Sequence, residues 1–256
     1  MPQSSFILTE ESASGSDTLV IVFLNLYYYQ PDKRNAYVAK AGFAEAHRIF
    51  IYDSSINMLQ LGLSPGYPGV ASVLGYIREQ IARLKPKRIV TSGSSAGGHA
   101  SLLFGHLLKA DVSVAFAPYT NLRPEAFEAR GKASSYIGRH IQRLIDGSPL
   151  LVPEYLDLRP LLEYYNGKTK FLVHVGRGCL QDVTRARHLQ GLPGVRVYEH
   201  RFNYHVIDGY LTECGHLRAC HSDSYRLPPA PRIWLDRVRF WVNFRLGRLR
   251  RMRQTA

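Results

Sequence analysis

Ser95 stands in Gly93-Ser94-Ser95-Ala96-Gly97, a G-x-S-x-G pentapeptide that follows the strand-like run RIVTS and opens into the helix-forming stretch AGGHASLLFG. A serine that attacks a carbonyl must project clear of its own backbone, and a sharp strand-to-helix turn achieves this. Glycine is needed on both sides because a Cβ at Gly93 or Gly97 would collide across so tight a turn. The helix that follows aims its first N–H groups at the reaction centre. The amide of Ala96 is therefore a candidate donor to a developing oxyanion. The plain alternative is an ordinary glycine turn between strand and helix.

Where such a serine ends a strand of a parallel sheet, the acid and the histidine follow it in the chain. After the strand-like KFLVHV comes GRGCLQD, which places Asp182 in a loop from which a carboxylate can reach an imidazole. An aspartate ahead of VTRAR could equally cap a helix. After the strand-like VRVYEHRF come Asn203-Tyr204-His205 and helix-forming sequence, which puts His205 where a general base would overhang the nucleophile. His200 competes for that role, but its place inside the strand favours packing, and His99, one helical turn beyond Ser95, is expected to pack or to hydrogen-bond locally. The second oxyanion donor is expected from the loop after the first core strand, at the backbone of Leu26 or Tyr27. Tyr27, Tyr28 and Tyr29 in that loop can bind substrate by stacking on a sugar or clamping an acyl group; half-buried packing is the other reading.

The elements that must position these residues alternate along the chain. Thr18 to Leu24, Arg48 to Tyr52, the run ending at Ser95, Val112 to Ala117, Lys170 to Val175 and Val195 to Phe202 read as strands. Asn35 to Ala46, Val70 to Leu84, Ala96 to Leu108 and Val206 to Leu217 read as helices. This is the pattern of an α/β domain with a mostly parallel sheet covered on both faces, whose chemistry sits at the carboxyl ends of the strands. The 256 residues suffice for one such domain, 18–256, behind a flexible Ser-rich segment, 1–17. The stretch 119–168 reads as a small lid-like insertion and 230–256 as a basic C-terminal helix, with Trp234, Val238, Trp241 and Val242 as its docking stripe.

Lysine and arginine number 33 against 20 acidic residues, a net charge of +13, and eight of the arginines fall in 230–256. That excess favours acidic partners: an anionic glycan or carrier, or peripheral contact with a membrane surface. No nucleic-acid-binding module accompanies the charge. No apolar run is long enough to span a bilayer and the start is not that of a signal peptide, so a cytoplasmic location is expected. Three cysteines, Cys179, Cys214 and Cys220, agree with reduced thiols. Cys214, His216, Cys220 and His221 are close in sequence, but their spacing does not converge four ligands, so no metal and no cofactor are expected.

These residues together resemble a compact group of bacterial α/β-hydrolases associated with surface-polysaccharide biosynthesis. The likeness runs from Val20 to about Leu217. It rests on the G-x-S-x-G-G turn and its Ala/Leu-rich helix, Ala115-Phe116-Ala117-Pro118, Tyr52-Asp53, Leu61-Gly62-Leu63, Tyr155-Leu156-Asp157-Leu158, Asp182, and the helix that follows His205 and ends at Gly215. His99 and the arginine-rich tail depart from the pattern. The resemblance implies a single-domain α/β-hydrolase fold and an enzyme using Ser95, His205 and Asp182. It would be a serine esterase or deacylase acting on a small-molecule or glycan ester or thioester. Acyl transfer to a hydroxyl by the same triad, and a non-catalytic binding scaffold, are the alternatives. The absence of an HGGG run argues against a lipase or a hormone-sensitive-type esterase.

Overall fold

The computed structural model describes residues 4–25, 29–128, 138–143, 146–229, 235–236, 238 and 240–242. Seven strands form the main sheet: β1 (Phe6–Glu10), β2 (Thr18–Leu24), β3 (His47–Tyr52), β6 (Arg88–Ser94), β7 (Val112–Phe116), β8 (Lys170–Gly176) and β9 (Val195–His200). Their order is β1-β3-β2-β6-β7-β8-β9, and a two-stranded hairpin, β4 (Gly62–Leu63) with β5 (Tyr67–Pro68), stands apart. All neighbours in the main sheet are parallel except β1, which pairs antiparallel with β3, Phe6 opposite Tyr52. The segment 1–17, expected to be a flexible lead, thus supplies the edge strand. Alternation explains it: Phe6 and Leu8 pack against one core and Ile7 against the other.

The six parallel strands read as near-continuous apolar runs because both faces are covered. In β2, Leu19, Ile21 and Phe23 face one core while Val20, Val22 and Leu24 face the other. Helices α2 (Gly69–Leu84) and α3 (Ala96–Leu108), with α6 (Leu180–Arg187), cover the first face. Helices α1 (Pro31–Lys40), α7 (Ile207–Glu213) and α8 (Leu217–Cys220) cover the second. Short helices α4 (Pro124–Glu128) and α5 (Leu158–Glu163) lie in the connection between β7 and β8.

Two helices end earlier than their periodicity suggests, for one reason. The helix expected over 35–46 stops at Lys40 because Gly42 takes φ +86° and the Phe43 N–H bonds to the Val38 carbonyl at 2.8 Å. The helix expected over 206–217 breaks at Gly215, φ +76°, where the His216 N–H reaches the Leu211 carbonyl at 2.8 Å. Both are Schellman terminations, and only glycine enters that conformation without a Cβ penalty.

The C-terminal segment docks by a different face from the one expected. Among its described residues Asp236 and Phe240 are buried, whereas Val238, Trp241 and Val242 are 43%, 37% and 50% exposed; Trp234 lies outside the described residues. Phe240 sets its ring edge against Phe202 and Tyr210, and Asp236 accepts a hydrogen bond from His216 at 2.7 Å.

Candidate active site

β6 ends at Ser94 and α3 begins at Ala96, so the whole reversal falls on Ser95, with φ +56° and ψ −115°. A non-glycine residue there costs about 1–3 kcal/mol and persists only where its surroundings over-determine it. They do so here. The Ser95 N–H bonds to the Phe116 carbonyl at 2.8 Å, a Cβ on Gly93 would meet the Gly97 carbonyl oxygen at 2.1 Å, and one on Gly97 would meet the Phe23 carbonyl oxygen at 2.2 Å. Ala96 is the first residue of α3, so its N–H has no carbonyl of its own helix to bond.

The loop after β9 carries His205 over the end of β6. His205 Nδ1 lies 3.0 and 2.9 Å from the two oxygens of Asp182, and its Nε2 lies 2.9 Å from Ser95 Oγ. A carboxylate can only accept, so Nδ1 carries the proton, leaving Nε2 to accept the Ser95 hydroxyl hydrogen. Asp182 is buried within the first turn of α6, and the capping position it could have taken is occupied by Cys179. Arg185, one turn along, is also buried; its Nη1 donates to Asp182 Oδ1 at 3.1 Å, and its guanidinium lies 4.1 Å from the centre of the Tyr119 ring. Nothing in the composition singles out Arg185, although its i,i+3 spacing from an aspartate on one helix is a readable signal.

The other histidines are held elsewhere. His99 is buried; its Nδ1–H donates to the Tyr119 carbonyl at 3.0 Å, its Nε2 accepts from Gln60 at 3.2 Å, and burial pushes its pKa down to about 4. His200 lies in β9, buried beside His174, and burial, reinforced by His216, lowers its pKa to about 3. His174, His200 and Cys220 bring their ligand atoms within 4.8 Å of one another, a grouping that shares only Cys220 with the cluster visible in the sequence. His174 Nδ1 and His200 Nε2 lie 3.0 Å apart with ring centres at 5.3 Å, so the rings meet end to end, N–H against lone pair. His174 Nε2–H meanwhile donates to the Cys220 carbonyl at 3.1 Å. This is a satisfied hydrogen-bond chain between neutral rings, in which the lone pairs do not converge on a common point.

A cavity of about 760 Å³ opens beside Ser95, Ala96 and His205. One wall is apolar: Phe23 and Ile51 from the strand ends, Ala100 from α3, and Met58 and Leu59 from the loop after β3. That loop is rigid. Asp53 accepts from the Ser55 N–H at 3.0 Å and the Leu59 N–H at 3.3 Å, and Ile56, Met58 and Leu59 all take positive φ, 57°, 57° and 63°. The opposite wall comes from α1 and α7, with Lys33, Tyr37 and Lys40 facing Asp208, Thr212 and Glu213. None of these residues was legible as a site residue from sequence, because they meet only across the fold.

Tyr29 does not line this cavity. It stacks on Tyr52, ring centres 5.2 Å apart, and packs against the core. Leu26, Tyr27 and Tyr28 lie outside the described residues. No described residue of 119–168 lines the cavity either. Tyr119, Phe127 and Ile141 pack behind Met58, and His140 donates to the Ser55 carbonyl at 3.1 Å, so the insertion buttresses the loop wall.

Among the described residues no helix is long and apolar enough to cross a membrane. No protein-family model matches the chain, and no curated protein matches it. Solved structures do match. Carboxyl esterase 2 of the mycorrhizal fungus Tuber melanosporum is 14% identical, with 86% of each chain covered and a TM-score of 0.54. An esterase/lipase from an uncultured bacterium is 14% identical over 93% of this chain and 85% of its own, TM-score 0.54. A hormone-sensitive lipase from a metagenome library is 16% identical over 86% and 87%, TM-score 0.50. At such identities the likeness is one of architecture: this chain has the α/β-hydrolase fold of esterases and lipases.

Proposed function

We propose that the protein is a serine ester hydrolase that works through an acyl-enzyme on Ser95. The observation that carries this reading is the hydrogen-bonded series from Ser95 Oγ to His205 Nε2 and from His205 Nδ1 to Asp182, with 2.9 Å at each joint, beside a large cavity. The fold shared with esterases and lipases supports it. Ser95 Oγ bonds to the carbonyl carbon as its proton passes to His205 Nε2. The C–O bond of the ester then breaks and the alcohol leaves with that proton. Asp182 holds the imidazole in the required tautomer and offsets its positive charge. The Ala96 amide receives the oxyanion. Water attacks the acyl-enzyme in the second half, its proton returning through His205 to Ser95.

A fluorophosphonate probe tests the assignment, since it labels an activated serine covalently. Wild-type protein is expected to label and Ser95→Ala not to, with the same circular dichroism. Labelling of Ser95→Ala would move the nucleophile elsewhere, and an unlabelled wild type would leave a binding scaffold. Transfer to a hydroxyl acceptor, with an alcohol replacing water in the second half, is the second reading. The polar wall formed by α1 and α7 favours it.

A further inference from the structure

The C-terminal helix turns a polar and an aromatic side chain inward and leaves an apolar stripe in water. Asp236 and Phe240, one helical turn apart, are buried, whereas Leu235, Val238 and Val242, at i, i+3 and i+7, share another side and are 60%, 43% and 50% exposed. One exposed valine is ordinary, but several on one face mark a surface that meets something. The patch extends beyond the helix. Trp241, beside Phe240, meets Tyr204 edge to face with ring centres 5.6 Å apart, and Tyr204 and Val206, 50% and 57% exposed, stand on either side of His205. Val206 and Phe240 also line the cavity beside Ser95. The apolar surface therefore runs from the helix to the rim of that cavity.

The same segment is strongly basic. Residues 230–256 hold eight arginines and one acid, Asp236, whose carboxylate already accepts from His216 at 2.7 Å. We propose that this face docks on an anionic lipid bilayer, its apolar side chains entering the headgroup boundary and its arginines meeting the lipid phosphates. The combination selects this occupant over others. A second copy of the chain, paired about a two-fold axis, would set the patch against itself and bring arginines against arginines. A nucleic acid would answer the charge but leave Leu235, Val238 and Val242 against a polar backbone. A bilayer surface offers phosphates and hydrocarbon side by side, and tryptophan, tyrosine and arginine are the side chains that suit such a boundary.

Docking in this way brings the rim of the cavity to the lipid. Tyr204 and Val206 flank the catalytic histidine of the proposed mechanism and belong to the exposed patch, so an ester held in the interface would approach Ser95 past apolar side chains instead of through bulk water. That consequence rests on the Ser95 reading above; the docking face itself does not.

The test sediments the full chain with vesicles of phosphatidylcholine alone and with vesicles that also contain phosphatidylglycerol. Binding to the anionic vesicles is expected to be at least tenfold tighter, and to weaken between about 0.01 M and about 0.15 M salt as the Debye length shortens from about 30 Å to about 8 Å. Leu235→Ser with Val238→Ser and Val242→Ser removes the apolar contact without changing the charge, and is expected to weaken that binding at least tenfold. Arg248→Gln with Arg250→Gln, Arg251→Gln and Arg253→Gln is expected to do the same, at about fivefold for each arginine that lies near the lipid. Circular dichroism checks that both variants fold. Leu235, Val238 and Val242 do not line the cavity, so hydrolysis of p-nitrophenyl acetate by the serine variant is expected to match wild type. Failure of wild type to bind, equal binding to both kinds of vesicle, or undiminished binding by either folded variant overturns the proposal. So does a wild-type dimer in ultracentrifugation that the serine substitutions dissolve, which would make the stripe a contact between copies, or a single-stranded oligonucleotide whose binding those substitutions abolish. A wild type that binds anionic vesicles but neither cleaves p-nitrophenyl acetate nor labels with fluorophosphonate keeps the docking face and loses the Ser95 reading.

Discussion

Arg185 Nη1 and His205 Nδ1 share one acceptor: the first lies 3.1 Å and the second 3.0 Å from Asp182 Oδ1. The carboxylate is therefore clamped from two directions in a site closed to water, with the guanidinium itself seated on Tyr119. Arg185 does not line the cavity and touches no reacting atom, so it is a positioning residue. Arg185→Met is expected to lower kcat for p-nitrophenyl acetate about 10²-fold through misplacement of Asp182, with KM little changed. It should also cost about 3–5 kcal/mol of stability, as expected when a buried ion pair loses one partner. Arg185→Lys should recover part of kcat. A variant that melts earlier with kcat intact would leave Arg185 a purely structural role.

The strain at Ser95 makes a second prediction that needs no substrate. Ser95→Ala keeps the Cβ and so keeps the unfavourable φ of +56°, whereas Ser95→Gly removes it. Ser95→Gly is expected to be more stable than Ser95→Ala by about 1–3 kcal/mol, less the entropic cost of glycine. Urea unfolding of the two variants reads the difference directly. Equal midpoints would mean that the turn stores no strain at this residue.

On the proposed mechanism, three substitutions separate His205 as the base from its competitor His200. Asp182→Asn should lower kcat on the order of 10⁴-fold, because the amide can hold the imidazole in the wrong tautomer. His205→Ala should be at least as damaging. His200→Ala should act on stability instead, since it breaks the hydrogen bond to His174 deep in the core. Steady-state kinetics on folded protein give the ranking, and greater loss of kcat in His200→Ala would reverse the assignment.

Four buried histidines bear on acid stability. Burial lowers His99 and His221 to about 4 and His200 to about 3, and holds His174 well below its ordinary value with help from His200 and His221. The unfolded chain protonates all of them near pH 6.5 while the folded chain cannot, so the unfolded state binds more protons below that pH. Their contribution is complete above pH 6.5 and is lost as pH falls toward 4. Each adds a slope approaching 1.4 kcal/mol per pH unit in that window. Urea unfolding at pH 7.5, 6 and 5 should show a steep decline, shallower in His221→Gln. A flat profile from 7.5 to 5 would contradict neutral burial.

Legibility in the sequence followed the range of the forces involved. The turn at Ser95 is a local steric problem solved by Gly93 and Gly97, four residues apart, so the pentapeptide and its flanking strand and helix are readable in place. The parallel strands are readable because burial on both faces leaves unbroken apolar runs such as TLVIVFL. Asp182 and His205 could be picked by their positions after later strands, but only the sheet order, with β8 beside β7 and β9 beside β8, brings them to Ser95. Features that need a distant partner were not readable. The edge strand β1 depends on β3, the Arg185 clamp on Tyr119, and the cavity walls on α1 meeting α7 across more than 160 residues of chain. In the C-terminal helix Asp236 and Phe240 turn inward because His216, Phe202 and Tyr210 await them, while Val238, Trp241 and Val242 are left partly outside. Hydrophobic pattern reports how much of a helix can be buried; which side is buried depends on the surface it meets, and only the tertiary fold builds that surface.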